Sequence, residues 1–294
     1  MPGGARPPLR CDVTAMEEDL FTNAAHGRLG DFSLLEAALV ASGVGDRPKL
    51  EYYRRQVAQW ADALKRSAAV RGTPRQQAQV IFEFLHRRVL TGGYHLPCTD
   101  LREAIDHGRF NCVSASVLFN CLAGEFGLDV CGLECPGHAM SRLHGAQGTL
   151  DIETTCPRWF QLREAKDRGR VREVSDVELV AMIYYNRGVD LLGEKRFAEA
   201  AAANAKALWL YPANATARGN LLATLNNWAI ELGSTAQYTD AAELLRLGLA
   251  VEPGYEPFRL NYAHLCRQWA SHRRTADQAD EAAPLPGDLT PPAP

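Results

Sequence analysis

Asn111-Cys112-Val113-Ser114-Ala115-Ser116-Val117-Leu118-Phe119-Asn120-Cys121-Leu122-Ala123-Gly124-Glu125-Phe126-Gly127 is the stretch on which the fold turns. Val113, Ser116, Val117, Phe119, Cys121 and Leu122 recur at helical spacing over a broad apolar face. Gly127 stands where a C′ glycine ends a helix. The pattern predicts a buried helix that begins at Cys112. Downstream the period changes. Residues 128–134 and 138–143 suit short strands, 144–148 read as a turn, and 149–154 alternate as a strand does. The local order is helix, strand, strand, strand. Upstream, Gly92, Gly93 and Gly108 interrupt the pattern and frame a loop-rich approach to Cys112. Before that, from about Asp12 to Leu90, apolar positions such as Leu34, Leu35, Ala38 and Leu39, then Val80, Ile81, Phe84 and Leu85, keep helical spacing. Thr73-Pro74 is a helix start with Pro at N1.

A thiol at a helix N-terminus sits beside unpaired backbone N–H groups and the positive end of the dipole, which favour a thiolate and can hold a developing oxyanion. Such a nucleophile needs a base from elsewhere in the chain. His138, after Pro136-Gly137 at the opening of a strand, is placed to reach back over the helix start. A third group must orient the imidazole. Asp151 and Glu153, two apart on one strand face, both qualify. The plainer reading of Cys112 is a small buried hydrophobe, the usual fate of a free cysteine. A metal reading would gather Cys131, Cys135, His138 and Cys156, although Cys-x3-Cys-x2-His is not a strong zinc spacing. Cys98, Cys121 and Cys266 read as packing residues. The expectation is that no metal or organic cofactor is needed.

Asn111-Cys112 opening a helix, Pro136-Gly137-His138, and Asp151-Ile152-Glu153-Thr154-Thr155 resemble the Cys, His and Asp-x-Thr blocks of the transglutaminase-like superfamily. The resemblance covers about residues 34–160. It implies an α+β fold, a papain-like helix packed on a small antiparallel sheet behind a helical lead-in. It also implies Cys112 as nucleophile, His138 as base and, by match to the acidic-x-Thr element, Glu153 where Asp is usual. No Gln stands just before Cys112 to complete an oxyanion hole, and some bacterial relatives linked to repeats lack the nucleophile. The resemblance therefore implies either a cysteine-dependent acyl transferase or amide hydrolase, or an inactive scaffold.

Beyond about residue 175 every pattern is helical. Tyr185, Gly188, Phe197, Ala200, Ala207 and Pro212 resemble the tetratricopeptide (TPR) consensus. Tyr238, Ala241 and Pro253 each follow Phe197, Ala200 and Pro212 by 41 residues, so the second unit needs a lengthened first helix, about 213–232. The alanine stripe from Ala200 to Ala207 reads as close helix packing. The expected organisation is a flexible start (1–11), a transglutaminase-like domain (12–174), and an all-α TPR domain (175–274). The last holds repeats at about 184–217 and 218–256 and a cap at 257–273, and an acidic, Pro-rich disordered tail (275–294) follows. The 294 residues, 23% charged with a formal net charge of -3, predict no pull toward nucleic acid. The Gly-, Pro- and Arg-rich start lacks a signal-peptide core, and no run of about 18 apolar residues could span a bilayer. Eight cysteines without a regular framework suggest reduced thiols. Cytoplasmic residence and a protein or peptide partner for the TPR are the expectations.

Overall fold

The helical lead-in is set by caps. In the computed structural model, which describes residues 9, 11–67, 71–146, 148–158 and 171–277, reciprocal capping boxes open three of its helices. Thr14 with Glu17 opens α1 (Ala15–Ala24), and Ser33 with Glu36 opens α2 (Leu34–Ala41). Asp46 caps α3 (Arg47–Arg66), and Thr73 with Gln76 opens α4 (Pro74–Phe84), with Pro74 at the tolerated first turn. A π-helical turn, Leu85–Val89, continues α4.

The approach to Cys112 holds more regular structure than its glycines suggest. A parallel pair, β1 (Gly93–Tyr94) and β2 (Arg109–Phe110), brackets a short helix, α5 (Leu101–His107). Asp100 caps α5, and Gly108 ends it at φ +70°. A Cβ at Gly92 would fall 2.4 Å from the His107 carbonyl oxygen, and one at Gly108 2.6 Å from that of Val89. The two glycines therefore allow the backbone crossing that Gly92 N donating to Gly108 O (2.9 Å) closes.

The helix that begins at Cys112 is α6 (Cys112–Gly124), with Asn111 as N-cap. Val117, Leu118, Phe119 and Leu122 are wholly buried along it. It lies on an antiparallel sheet of order β5-β4-β3-β6, formed by β3 (Val130–Cys135), β4 (His138–Gly145), β5 (Gly148–Ile152) and β6 (Arg172–Val174). Three details differ from the sequence reading. The β4–β5 turn is tighter, because Gly145 and Gly148 already pair. β5 stops at Ile152, two residues early. A fourth strand, β6, pairs with β3 at its outer edge.

Next come α7 (Asp176–Gly193) and α8 (Phe197–Leu210), a closely packed antiparallel pair in which Ala200, Ala201, Ala205 and Ala207 are fully buried. Gly188 is part of that closeness, since a Cβ there would meet the Asn204 amide at 2.4 Å. Glu17 joins this pair to α1, taking a hydrogen bond from the Tyr184 hydroxyl (2.9 Å) and an ion pair from Lys206 (2.8 Å). Phe21 packs edge-on against Trp209 at 5.4 Å.

The chain divides into two compact units inside α9 (Ala215–Ser234), one running up to Leu221 and one from Leu222. The sequence reading places its boundary at 174/175 instead, where the chain enters α7. The Glu17 and Phe21 contacts hold α7 and α8 in the first unit. At 20 residues, α9 is a long helix, as the 41-residue spacing required. In the second unit α10 (Tyr238–Val251) packs on α11 (Glu256–Asp277), the Phe258 ring filling the space over Gly248. α11 carries helix through Asp277, so 275–277 are not the start of a tail. The remainder of the expected tail, and the expected flexible start apart from Leu9 and Cys11, lie outside the described residues. Among the described residues no helix is long and apolar enough to cross a membrane.

Candidate active site

Asn111 fixes the start of α6. Its Oδ1 accepts from the Val113 N–H (3.0 Å) and the Ser114 N–H (3.1 Å). Its Nδ2 donates to Leu96 O (2.9 Å) and Thr99 Oγ1 (2.5 Å). Ser114 Oγ adds a bond to Cys98 O at 2.9 Å. One amide thus holds the 96–99 segment against the helix that carries the thiol. The same bonds correct the expectation that the helix-start N–H groups are open to an oxyanion. Those of Val113 and Ser114 are already satisfied, because an Asn cap fills them.

Cys112 is 6% exposed and opens onto a cavity of about 880 Å³ that His138 also lines. The placement of His138 is local in origin. Cys135 pairs with His138 across the Pro136-Gly137 turn, whose glycine takes φ +72°, and β4 starts on the histidine. The ring's Nε2 lies 2.8 Å from Glu153 Oε2. With that nitrogen committed to the carboxylate, Nδ1 is the one available to the thiol.

The electrostatics agree with this arrangement. His138 is raised to about 9, first by hydrogen bonding with Cys112, then by Glu153, against the burial that disfavours its charge. Burial pushes the Glu153 carboxyl up, but the hydrogen bonds from His138 and Thr155 outweigh it and hold the group below its ordinary value. Thr155 donates to Glu153 Oε1 from both its hydroxyl (2.6 Å) and its backbone N–H (3.1 Å).

Register decides between the two acids. Arg142 pairs with Asp151 across β4 and β5, and the guanidinium grips that carboxylate at 2.6 and 2.9 Å. His138 is four residues farther back along β4, within reach only of an acid beyond the end of β5. Glu153 is that acid, and Asp151 is kept away by its own partner. The segment carrying Glu153 is tied to α6 as well. Ser116, one turn after Cys112, shares a 2.8 Å hydrogen bond with Thr154 Oγ1, and His86 Nε2 donates to Thr154 O at 3.1 Å. Burial lowers His86, which suits a neutral ring donating from Nε2.

Tyr94 is a member of the site that sequence reasoning missed. β1 sets it opposite Phe110, two residues before Cys112, with the two rings edge-on at 6.0 Å. Its hydroxyl is raised by burial and then by charge and hydrogen bonding at Cys112. No local pattern marks it, since the contact depends on the crossing at Gly92 and Gly108.

The cysteines of the metal reading do not converge. Cys135 Sγ faces the carbonyl of His138 at 3.6 Å, Cys131 Sγ faces His144 Nε2 at 3.5 Å, and Cys156 is half-buried after the Glu153 segment. Among the described residues, the three metal-type donors that come together are Cys131, His144 and Glu173. The Arg142 guanidinium, 2.9 Å from Glu173, opposes a cation there.

Comparison with protein-family models, with curated proteins and with solved structures returned no match to this chain.

Proposed function

We propose that the protein is a cysteine-dependent acyl transferase or amide hydrolase of transglutaminase-like type, with a papain-like core and TPR-type helical hairpins that bind protein or peptide. The observation that carries the reading is the His138 ring, placed between the Cys112 thiol and the Glu153 carboxylate on a cavity large enough for a substrate. In this mechanism the raised ring already holds the thiol proton as an imidazolium, and Cys112 Sγ, as the thiolate, attacks an amide carbonyl. The tetrahedral intermediate collapses as the imidazolium gives its proton to the departing amine, leaving a thioester on Cys112. Water or a second amine, deprotonated by the neutral ring, then attacks that thioester; the C–S bond breaks, the acid or new amide leaves, and the imidazolium returns its proton to Cys112 Sγ. Glu153 fixes the tautomer and stabilises the cationic ring, and Tyr94 supplies a donor near the sulfur. No step calls for a metal or organic cofactor.

One observation favours a second reading, a scaffold without activity that works as a TPR adaptor. Asn111 already occupies two of the N–H groups that would hold an oxyanion. Iodoacetamide labelling with peptide mapping separates the two readings. The enzyme reading expects Cys112 to be alkylated much faster than the other seven thiols at neutral pH, with the preference abolished by His138→Ala. Equal, slow labelling of all eight favours the adaptor.

A further inference from the structure

Among the described residues, three carboxylates stand at or beside the cavity at Cys112, and two are matched. Glu134 takes a 2.6 Å ion pair from Arg172 and a 3.4 Å hydrogen bond from the Tyr185 hydroxyl. Glu153 is held by His138 and Thr155. Asp190, half-buried on α7 and lining the same cavity, has no cation beside it among the described residues. Burial and the neighbouring Glu194 both push its carboxyl up, and no basic group among the described residues offsets them. Arg187, one turn earlier, does not fill the role, because its guanidinium lies toward Gly43. Asn186, also one turn from Asp190, lines the cavity with it, so a polar strip of α7 borders the space in front of the nucleophile.

A half-desolvated carboxylate without a counter-charge is costly in the empty protein, and a ligand that brings the missing cation recovers that cost. We propose that Asp190 forms a cation-binding subsite of the Cys112 cavity, so that the molecule bound there carries an ammonium or guanidinium group, as a lysine- or arginine-containing peptide does. This rests on reading the cavity as the substrate site. It adds the charge of the substrate, and it gives α7 a part in recognition at the site itself.

The test uses full-length Cys112→Ser protein, in which the thiol chemistry is removed. Dansylcadaverine, a fluorescent primary amine, and its neutral N-acetyl derivative are titrated against it and followed by dansyl emission. We expect the amine to bind about fivefold to tenfold more tightly than the acetylated compound, the effect of one partly screened charge pair. Asp190→Asn, which keeps the side-chain shape, should erase the difference, and Glu194→Gln should leave it. Equal affinity for the two probes, binding of neither, a preference that survives Asp190→Asn, or an equal loss in Glu194→Gln would each overturn the subsite. Because the readout needs no turnover, a reactive Cys112 without an amine preference defeats this inference alone. An unreactive Cys112 with the preference intact defeats only the catalytic reading.

Discussion

Replacing Glu153 by Gln should lower the pKa of His138 and leave the chain folded. The substitution keeps the length of the side chain and an oxygen for Thr155, which donates to Glu153 at 2.6 and 3.1 Å, and removes one negative charge 2.8 Å from Nε2. The side chains of His138 and Glu153 are 28% and 10% exposed, so the pair is only partly screened. At an effective dielectric of about 20 and roughly 4 Å between charges, the attraction has an upper limit of about 4 kcal/mol, or ~3 pKa units. His138 stands at about 9 with Cys112 as the larger cause, so the share lost with Glu153 should be about one to two units. Ring-proton NMR titration of His138 measures this directly. The sign for stability follows. A histidine raised from 6.5 to about 9 contributes stability that is complete below pH 6.5 and disappears as pH rises through about 9. Urea unfolding of the wild type should therefore weaken across that window, and in Glu153→Gln the weakening should finish at lower pH. A His138 titration within about 0.3 units of wild type in the variant would refute the assigned role of Glu153.

Three other substitutions probe the supports of the site and the helical pair. Asn111→Ala removes the cap of α6 and strands the buried Thr99 hydroxyl, so urea unfolding should show a loss of about 2–4 kcal/mol. Tyr94→Phe keeps the ring against Phe110 and deletes a half-exposed hydroxyl beside Cys112. Stability should change by less than about 0.5 kcal/mol, while acylation of Cys112, followed by stopped-flow, slows about tenfold. Gly188→Ala forces a methyl toward the fully buried Asn204 amide and should cost about 1–3 kcal/mol by thermal or urea unfolding.

The parts of this architecture legible in the sequence are those set within a few residues. The helix from Cys112 follows from its own apolar spacing, and the start of β4 at His138 follows from the Pro136-Gly137 turn. The long α9 follows from the spacing of Phe197 and Tyr238. The parts that were not legible depend on register or on distant backbone. Strands of two or three residues, as in β1, β2 and β6, are too short to show a period. Asp151 and Glu153 are equivalent by alternation, and only the pairing of Gly145 with Gly148, which puts Arg142 opposite Asp151, separates them. Tyr94 reaches Cys112 because two glycines let the chain cross itself. The occupied helix-start N–H groups escape the sequence for a related reason. Asn111 is a familiar cap residue, but its hold on Val113 and Ser114 removes donors that the position of Cys112 alone would leave free.

The most direct measurement is capture of the acyl-enzyme. Rapid mixing of the wild-type protein with p-nitrophenyl acetate should release a burst of p-nitrophenolate equal to the protein concentration. Mass spectrometry of the acid-quenched sample should find the acetyl group as a thioester on Cys112, and both signals should vanish in Cys112→Ser. A burst that persists in Cys112→Ser, or an acetyl group carried on any other residue, would contradict nucleophilic catalysis at Cys112.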